Sequence, residues 1–369
     1  MSHTNGNGAS RHGQRLVLIT GGAGFVGTNL AHRLLLSGRP VLIYDDLSRP
    51  GVEQNLQWLR ATHGDRLRVE VADVRDAHAL RRAAQGASQV FHFAAQVAVT
   101  TSLTDPVRDF EVNARGTLNL LEALRGMDDP APLVFTSTNK VYGALPDIGL
   151  RQRGRRYEAE DDAVRAHGIG EARPLDFHSP YGCSKGTADQ YVLDYARTFG
   201  IPATVFRMSC IYGPHQFGTE DQGWVAHFLI RALDGERITL YGDGMQVRDV
   251  LFVDDLVQAF LLAQAHMPNL TGQAFNIGGG PDSAISLLNL IEMIGDLTGR
   301  RPEVRFEGWR PGDQRYYVSD TRRFQAVTGW KRSVDVFQGV ERLLAWLSEA
   351  RGLPQRVLAE RSAGMRVGV

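Results

Sequence analysis

The sequence predicts an α/β fold, a doubly wound parallel sheet with a smaller, interleaved α/β lobe. Three observations point there. Short apolar runs alternate with helix-like stretches, the first run ends in a glycine-rich turn, and the second delivers an aspartate at its end. Strands alternating with helices build a parallel sheet covered on both faces, and ligands bind beyond the carboxyl ends of its strands.

The elements follow in chain order. Leu16 to Thr20 reads as a strand, Gly21-Gly-Ala-Gly24-Phe25-Val26-Gly27 as a turn, and Leu30, Leu34 and Leu35 as the apolar face of a helix. Glycines in the spacing G-x-x-G-x-x-G let the backbone approach a pyrophosphate, which rests at the positive end of the helix. The second strand, Val41 to Tyr44, delivers Asp45 24 residues after Gly21. A carboxylate there accepts hydrogen bonds from an adenosine ribose and repels a 2′-phosphate. NAD is therefore the expected cofactor of a Rossmann-type domain, with Asp46, Ser48 and Arg49 of the next loop assigned to it as well.

Further strands are expected at Leu67–Val71, Val90–Phe93, Leu133–Phe135 and Ala203–Phe206, with helices at Ala77–Ala84, Val107–Arg125 and Tyr181–Phe199. Residues at the strand ends are cofactor candidates: Asp73 and Val74, then Phe93, Ala94, Ala95 and Gln96, then Ser137 beside Thr138. The cofactor domain is read as 15–210, with 245–270 returning to it. A substrate lobe occupies mainly 211–350, and 1–14 and 352–369 are expected to be flexible tails.

Composition excludes several classes. Lys plus Arg and Asp plus Glu both number 41, so no net basic field calls for nucleic acid or an anionic membrane. Two cysteines, Cys183 and Cys210, supply neither a disulfide framework nor a metal site. The polar start up to Gln14 has no apolar signal region, and no run approaches the ~20 apolar residues of a membrane span. A cytoplasmic protein is expected.

Tyr181 and Lys185 stand four residues apart, which places both side chains on one face of a helix. A phenol of pKa about 10 needs roughly 3 units, or ~4 kcal/mol, to become a base near neutral pH, and nearby positive charge can supply that. The same spacing also fits a tyrosine packed near a solvated lysine.

Together, Thr20-Gly-Gly-Ala-Gly-Phe-Val-Gly27, Asp45, Asp73-Val74, Asn113, Thr138 and Tyr181…Lys185 resemble the extended short-chain dehydrogenase/reductase family that acts on nucleotide sugars, over roughly residues 15–350. Gln96–Ser102, Ser137–Gly143, Leu175–Lys185, Asp221–Trp224 and the long insertion between Tyr142 and Tyr181 are similar to its subgroup that inverts C2 of CDP-linked deoxyhexoses. The resemblance implies tightly held NAD, with Tyr181 as phenolate taking the proton of a sugar hydroxyl while a hydride leaves the same carbon. The keto-sugar then turns its other face and takes the hydride back. Lys185 would lower the Tyr181 pKa, and Thr138 would hold the reacting oxygen.

Dehydratases of this family carry Asp-Glu after the threonine. Asn139 and Lys140 stand there instead, which disfavours elimination of water. Lys140 is either a sugar contact or a surface lysine, and Asn113 either lies near the nicotinamide or is a buried amide bridging backbone groups. Arg248 and Arg310 match positions that grip the diphosphate, or form ion pairs. Asp313 bonds the nucleoside ribose or sits in a turn. Gln216, Gln222 and Trp224 are substrate contacts, or else the two glutamines are simply exposed and Trp224 is core. Arg207-Met-Ser-Cys210 departs from the aromatic and asparagine residues with which 4-epimerases seat uridine diphosphate, in agreement with a CDP sugar. The resemblance further implies a homodimer or homotetramer through the helices from Val107 and Tyr181. A UDP-glucose-type 4-epimerase and a catalytically silent NAD-sensing regulator are the competing readings; loss of the Tyr or Lys would mark the second, and both are present.

Overall fold

The computed structural model describes residues 15–310 and 312–353; the expected tail 1–14 and all but the first two residues of 352–369 lie outside them. Seven parallel strands form the main sheet in the order Ala274–Ile277, Ala203–Met208, Leu133–Thr138, Gln89–His92, Val17–Thr20, Val41–Asp45, Leu67–Val71. The order reverses between the first strand and the fourth, and the crevice for a ligand opens at that switch. Val17, Leu18 and Ile19 are wholly buried, because a parallel strand covered on both faces has no polar side. One apolar core lies against the helices Phe25–Leu36 and Val253–Ala265, the other against Ala77–Ala84, Gly116–Arg125 and Ser179–Phe199.

Two expectations change in detail. The stretch 245–270 divides between the lobes. Its helix Val253–Ala265 packs Leu256, Ala259 and Phe260 into the first core, but its strand Val247–Phe252 pairs with Cys210–Tyr212, Ala284–Ser286 and Tyr316–Tyr317 in a separate sheet. Only the helix returns. The helix expected over Val107–Arg125 is interrupted by a wide turn, Glu111–Arg115, which carries Asn113 inward. Such a bulge inserts a residue into the helical ladder and often marks a functional position.

The smaller lobe has its own core, with Val225, Phe228 and Leu229 of Trp224–Asp234 against Leu290, Ile294, Leu343 and Leu347. A two-stranded parallel pair, Ile238–Tyr241 with Val304–Glu307, carries Tyr241 to its edge. The insertion between Tyr142 and Tyr181 folds as an antiparallel hairpin, Leu150–Arg153 with Arg156–Ala159. Among the described residues no helix is long and apolar enough to cross a membrane, and no group of three or more His, Cys, Asp or Glu could hold a metal.

Candidate active site

The glycine turn is shaped by close approach. A Cβ on Gly21, which has φ +67°, would come within 2.6 Å of the Ala94 nitrogen. One on Gly27 would come within 2.5 Å of the Gly21 carbonyl, so neither position admits a side chain. Gly24 caps the helix Phe25–Leu36 with no side-chain hydrogen bond, leaving the first N–H groups of that helix for an anion. Phe25 and Val26 lie partly buried against the core. Asp45, at the end of the second strand, accepts from the Ala23 and Leu47 N–H groups, each at 2.9 Å. Burial raises its pKa and those bonds offset part of the rise.

The neighbouring candidates differ in how they are engaged. Asp46 closes a local turn onto Ser48. Asp73 is held by Arg75, whose hydrogen bond keeps its carboxyl below the usual range, and Val74 packs under Gly116. Phe93 packs on Phe260, and the Ala94 N–H bonds the Thr20 hydroxyl weakly, at 3.4 Å. Ala95 is partly buried beside it. Ser137 is buried, and its hydroxyl has no partner among the described residues.

Asn113 is the buried bridging amide of the two alternatives. Its oxygen accepts from the Gln96 N–H at 2.9 Å, and its nitrogen donates to the Gln96 carbonyl at 3.1 Å and to the Ser184 hydroxyl at 3.0 Å. Ser184 donates in turn to the buried Asp109. The amide therefore ties the 93–96 loop to the helix Ser179–Phe199. Neither Asp109 nor Ser184 stands out in the sequence, because their pairing spans 75 residues.

That helix begins under constraint. Ser179 adopts a left-handed φ of +63°, and the Tyr181 N–H donates to the Ser102 hydroxyl at 3.2 Å. One turn on, Lys185 donates to the Thr136 carbonyl at 2.6 Å and lies 4.3 Å over the Phe135 ring. Burial pushes the Tyr181 phenol up to about 12, with the Thr138 hydroxyl beside it offsetting part of that rise. Burial likewise pushes Lys185 down to about 7.

The expected lowering of the Tyr181 pKa by Lys185 is therefore absent from this arrangement. No hydrogen bond joins the two side chains among the described residues, and desolvation drives each toward its neutral form. The cation that lowers the phenol is Arg49, which also faces Asp45. Arg49 is exposed by surface area yet hemmed in by these groups, and its guanidinium donates to Gln222 at 2.9 Å.

Thr138 ends its strand and caps the short turn Asn139–Tyr142, accepting from the Lys140 N–H at 3.2 Å. Asn139 bonds the buried Gln314, which sequence reasoning missed and which also reaches the Gly143 carbonyl. Lys140 lies 3.7 Å from Asp313, and burial, with Arg248 adding to it, pushes its pKa to about 8. Asp313 holds Arg248 as well, at 2.8 Å. Three substrate candidates thus form one cluster, beside Cys210. Gln216 is near it in chain order and keeps its buried Oε1 without a partner among the described residues, and the Trp224 side chain meets the Cys210 thiol. Arg310 is separate, paired with Glu220 at 3.0 Å.

The chain matches the NAD dependent epimerase/dehydratase family over residues 17–278 and belongs to it, as its resemblance to the extended short-chain dehydrogenases/reductases implied. It is therefore an enzyme of the nucleotide-sugar epimerase and dehydratase class, with NAD as cofactor. Among individual proteins, it is 40% identical to CDP-paratose 2-epimerase of Salmonella typhi, over 90% of this chain and 99% of that one. The structure of Thermotoga maritima UDP-glucose 4-epimerase with UDP-glucose superposes with a TM-score of 0.78 at 29% identity, covering 91% of this chain and 99% of that one. The Thermus thermophilus UDP-glucose 4-epimerase complex with NAD gives 0.75 at 31%, covering 90% and 99%.

The residues present fit NAD. Gly24 leaves helix N–H groups for a pyrophosphate, Asp45 offers a fixed carboxylate at the strand end, and Ser137 has a free buried hydroxyl.

Proposed function

We propose that this enzyme inverts C2 of a CDP-linked deoxyhexose through a transient keto-sugar. The observation that carries the substrate choice is the 40% identity to a CDP-paratose 2-epimerase along essentially its whole length. NAD, when bound, supplies the reversible oxidation of the sugar carbinol. The glycine turn, Asp45, Asp73 and the 93–96 loop hold the cofactor, with Asp46, Ser48, Arg49, Ser137 and Lys185 completing its surroundings and Asn113 acting from behind by fixing the 93–96 loop.

Tyr181 accepts and returns the proton of the sugar hydroxyl, and Thr138 holds that oxygen. With a phenol pushed to about 12, the base form depends on positive charge, and this chain supplies it from Arg49. A catalytic acid–base pair contributes ~10²–10⁴-fold, and positioning the remainder. Asn139 and Lys140 face the sugar. Lys140, poised near 8, stabilises negative charge on the keto oxygen. Arg248 and Arg310 take the diphosphate, Asp313 the ribose, and Gln216, Gln222 and Trp224 the remaining contacts. The Gln216 Oε1, without a partner among the described residues, supports that assignment, since a buried polar atom without a partner is costly.

A 4-epimerase of UDP-glucose is the second reading, favoured by the superposition on such an enzyme. Incubation with CDP-paratose, CDP-glucose and UDP-glucose, with configuration read by NMR, separates them. Inversion at C4 with none at C2 would overturn the first reading. We also propose a homodimer or homotetramer. Leu103 on the short helix Val99–Thr104 and Val107 and Phe110 on the next, Pro106–Phe110, are exposed, as are Tyr191 and Phe199 on the helix packed beside them. Sedimentation should give at least twice the chain mass, and Val107→Asp should reduce it.

A further inference from the structure

The segment Phe217-Gly-Thr-Glu-Asp-Gln-Gly223 touches both halves of the molecule. Thr219 and Gln222 close a tight turn by reciprocal backbone bonds of 2.9 and 3.2 Å, which puts Glu220 and Asp221 at its tip. Both acids meet Arg310. Its guanidinium donates to the Glu220 carbonyl at 3.1 Å and the Glu220 carboxylate at 3.0 Å, and Asp221 lies 3.5 Å away. The Tyr241 ring supports the guanidinium from below at 3.8 Å, and the Tyr241 hydroxyl donates to the same Glu220 carboxylate. At the other end Gln222 accepts from Arg49, and the Phe217 ring fills the space over Gly51, where a Cβ would come within 2.5 Å.

We propose that residues 217–223 are a strap whose Glu220 carboxylate occupies the Arg310 guanidinium as an internal stand-in for diphosphate, so that a nucleoside diphosphate docks by displacing it. This rests on the reading of Arg310 as a diphosphate ligand. A planar guanidinium offers its in-plane N–H groups to carboxylate and phosphate alike, so the two anions compete for the same donors. The competition is close to balanced. The Glu220 side chain is 48% exposed and that of Arg310 24%, and ion pairs of this exposure are worth only about a few-fold in an equilibrium constant. A diphosphate, with more charge and more oxygens, wins.

The pair Arg248–Asp313 has the opposite character, with Arg248 only 8% exposed and also bonded to the Gln314 and Val247 carbonyls. It is a fixed fitting, whereas Arg310 is the exchangeable one. Displacing the strap also pulls on Gln222 and hence on Arg49, the cation that acts on the Tyr181 phenol. Diphosphate docking is thereby linked to the charge around the reacting group.

The test is calorimetric titration of the NAD-loaded protein with CDP, with cytidine as the reference that lacks phosphate. Glu220→Gln should tighten CDP about two- to fivefold and Asp221→Asn less than about twofold, leaving cytidine unchanged in both. Glu220→Ala, measured alongside, should follow Glu220→Gln. Unchanged or weaker CDP binding in all three variants, with thermal midpoints near wild type, overturns the strap; so does a gain shared equally by cytidine. Arg310→Ala separates the two layers. If it leaves CDP affinity untouched, the diphosphate reading of Arg310 fails. If it weakens CDP about tenfold or more while Glu220→Gln brings no gain, the strap alone fails.

Discussion

The two halves of the site handle polar groups in opposite ways. In the cofactor half, the central side chains are buried and tied to backbone or to neighbouring side chains. Asn113 is saturated, Asp45 is pinned by two N–H groups, Lys185 is lodged against the Thr136 carbonyl, and Asp189 grips Arg207 with two bonds of 2.9 Å. In the substrate lobe, charges neutralise one another at positions that solvent still reaches, as in Glu220–Arg310 and Lys140–Asp313. The first arrangement suits a cofactor kept through every cycle, and the second suits a ligand that comes and goes. Rigid, satisfied networks preorganise chemistry, whereas weak paired charges can be traded for a ligand's own.

Substitutions can break this contrast. The largest effect is expected for Tyr181→Phe, which should keep bound NAD and lose ~10²–10⁴-fold in turnover; full activity would refute the base assignment. Next is Asp189→Ala. Stranding the buried Arg207, which also donates to Tyr142 at 3.2 Å, should cost about 3–5 kcal/mol of stability by denaturant titration. Equivalent losses from Glu220→Ala would erase the distinction between the halves. Arg248→Ala should raise KM about tenfold or more with kcat within about threefold, as loss of a charged hydrogen bond to ligand.

The smallest effect concerns pH. His92, buried between the Thr20 and Thr117 hydroxyls, is pushed by burial to about 3. Between its ordinary value of 6.5 and that value, the unfolded chain binds a proton that the folded chain refuses. Stability should therefore fall as pH drops below about 6.5. His215, pushed to about 4, adds the same sign. His92→Gln should flatten the acid side of a thermal-midpoint profile, and an unchanged slope would contradict this.

The cofactor half was the legible one. Its strands announce themselves as apolar runs because they are buried on both faces, and the glycine turn and Asp45 are local in sequence. Ala274–Ile277, the last strand of the main sheet, escaped notice because four residues leave too short a run between a helix and a glycine loop. Val247–Phe252 is expected with the cofactor domain because a buried strand of either sheet has the same apolar pattern. The wide turn at Asn113 carries no helix breaker. In the substrate lobe the partners were illegible for another reason: Arg49 meets Gln222 across 173 residues, and Arg310 meets Glu220 across 90. Such pairs exist only once distant parts of the chain have folded together. The Tyr181–Lys185 spacing was legible, but the desolvation that governs both groups was not.

The most direct measurement follows CDP-paratose with this enzyme in deuterated water by NMR. Inversion at C2 with the carbon-bound hydrogen retained, and no solvent deuterium at C2, is the expected result. Deuterium at C2, or inversion at another carbon with C2 unchanged, would contradict it.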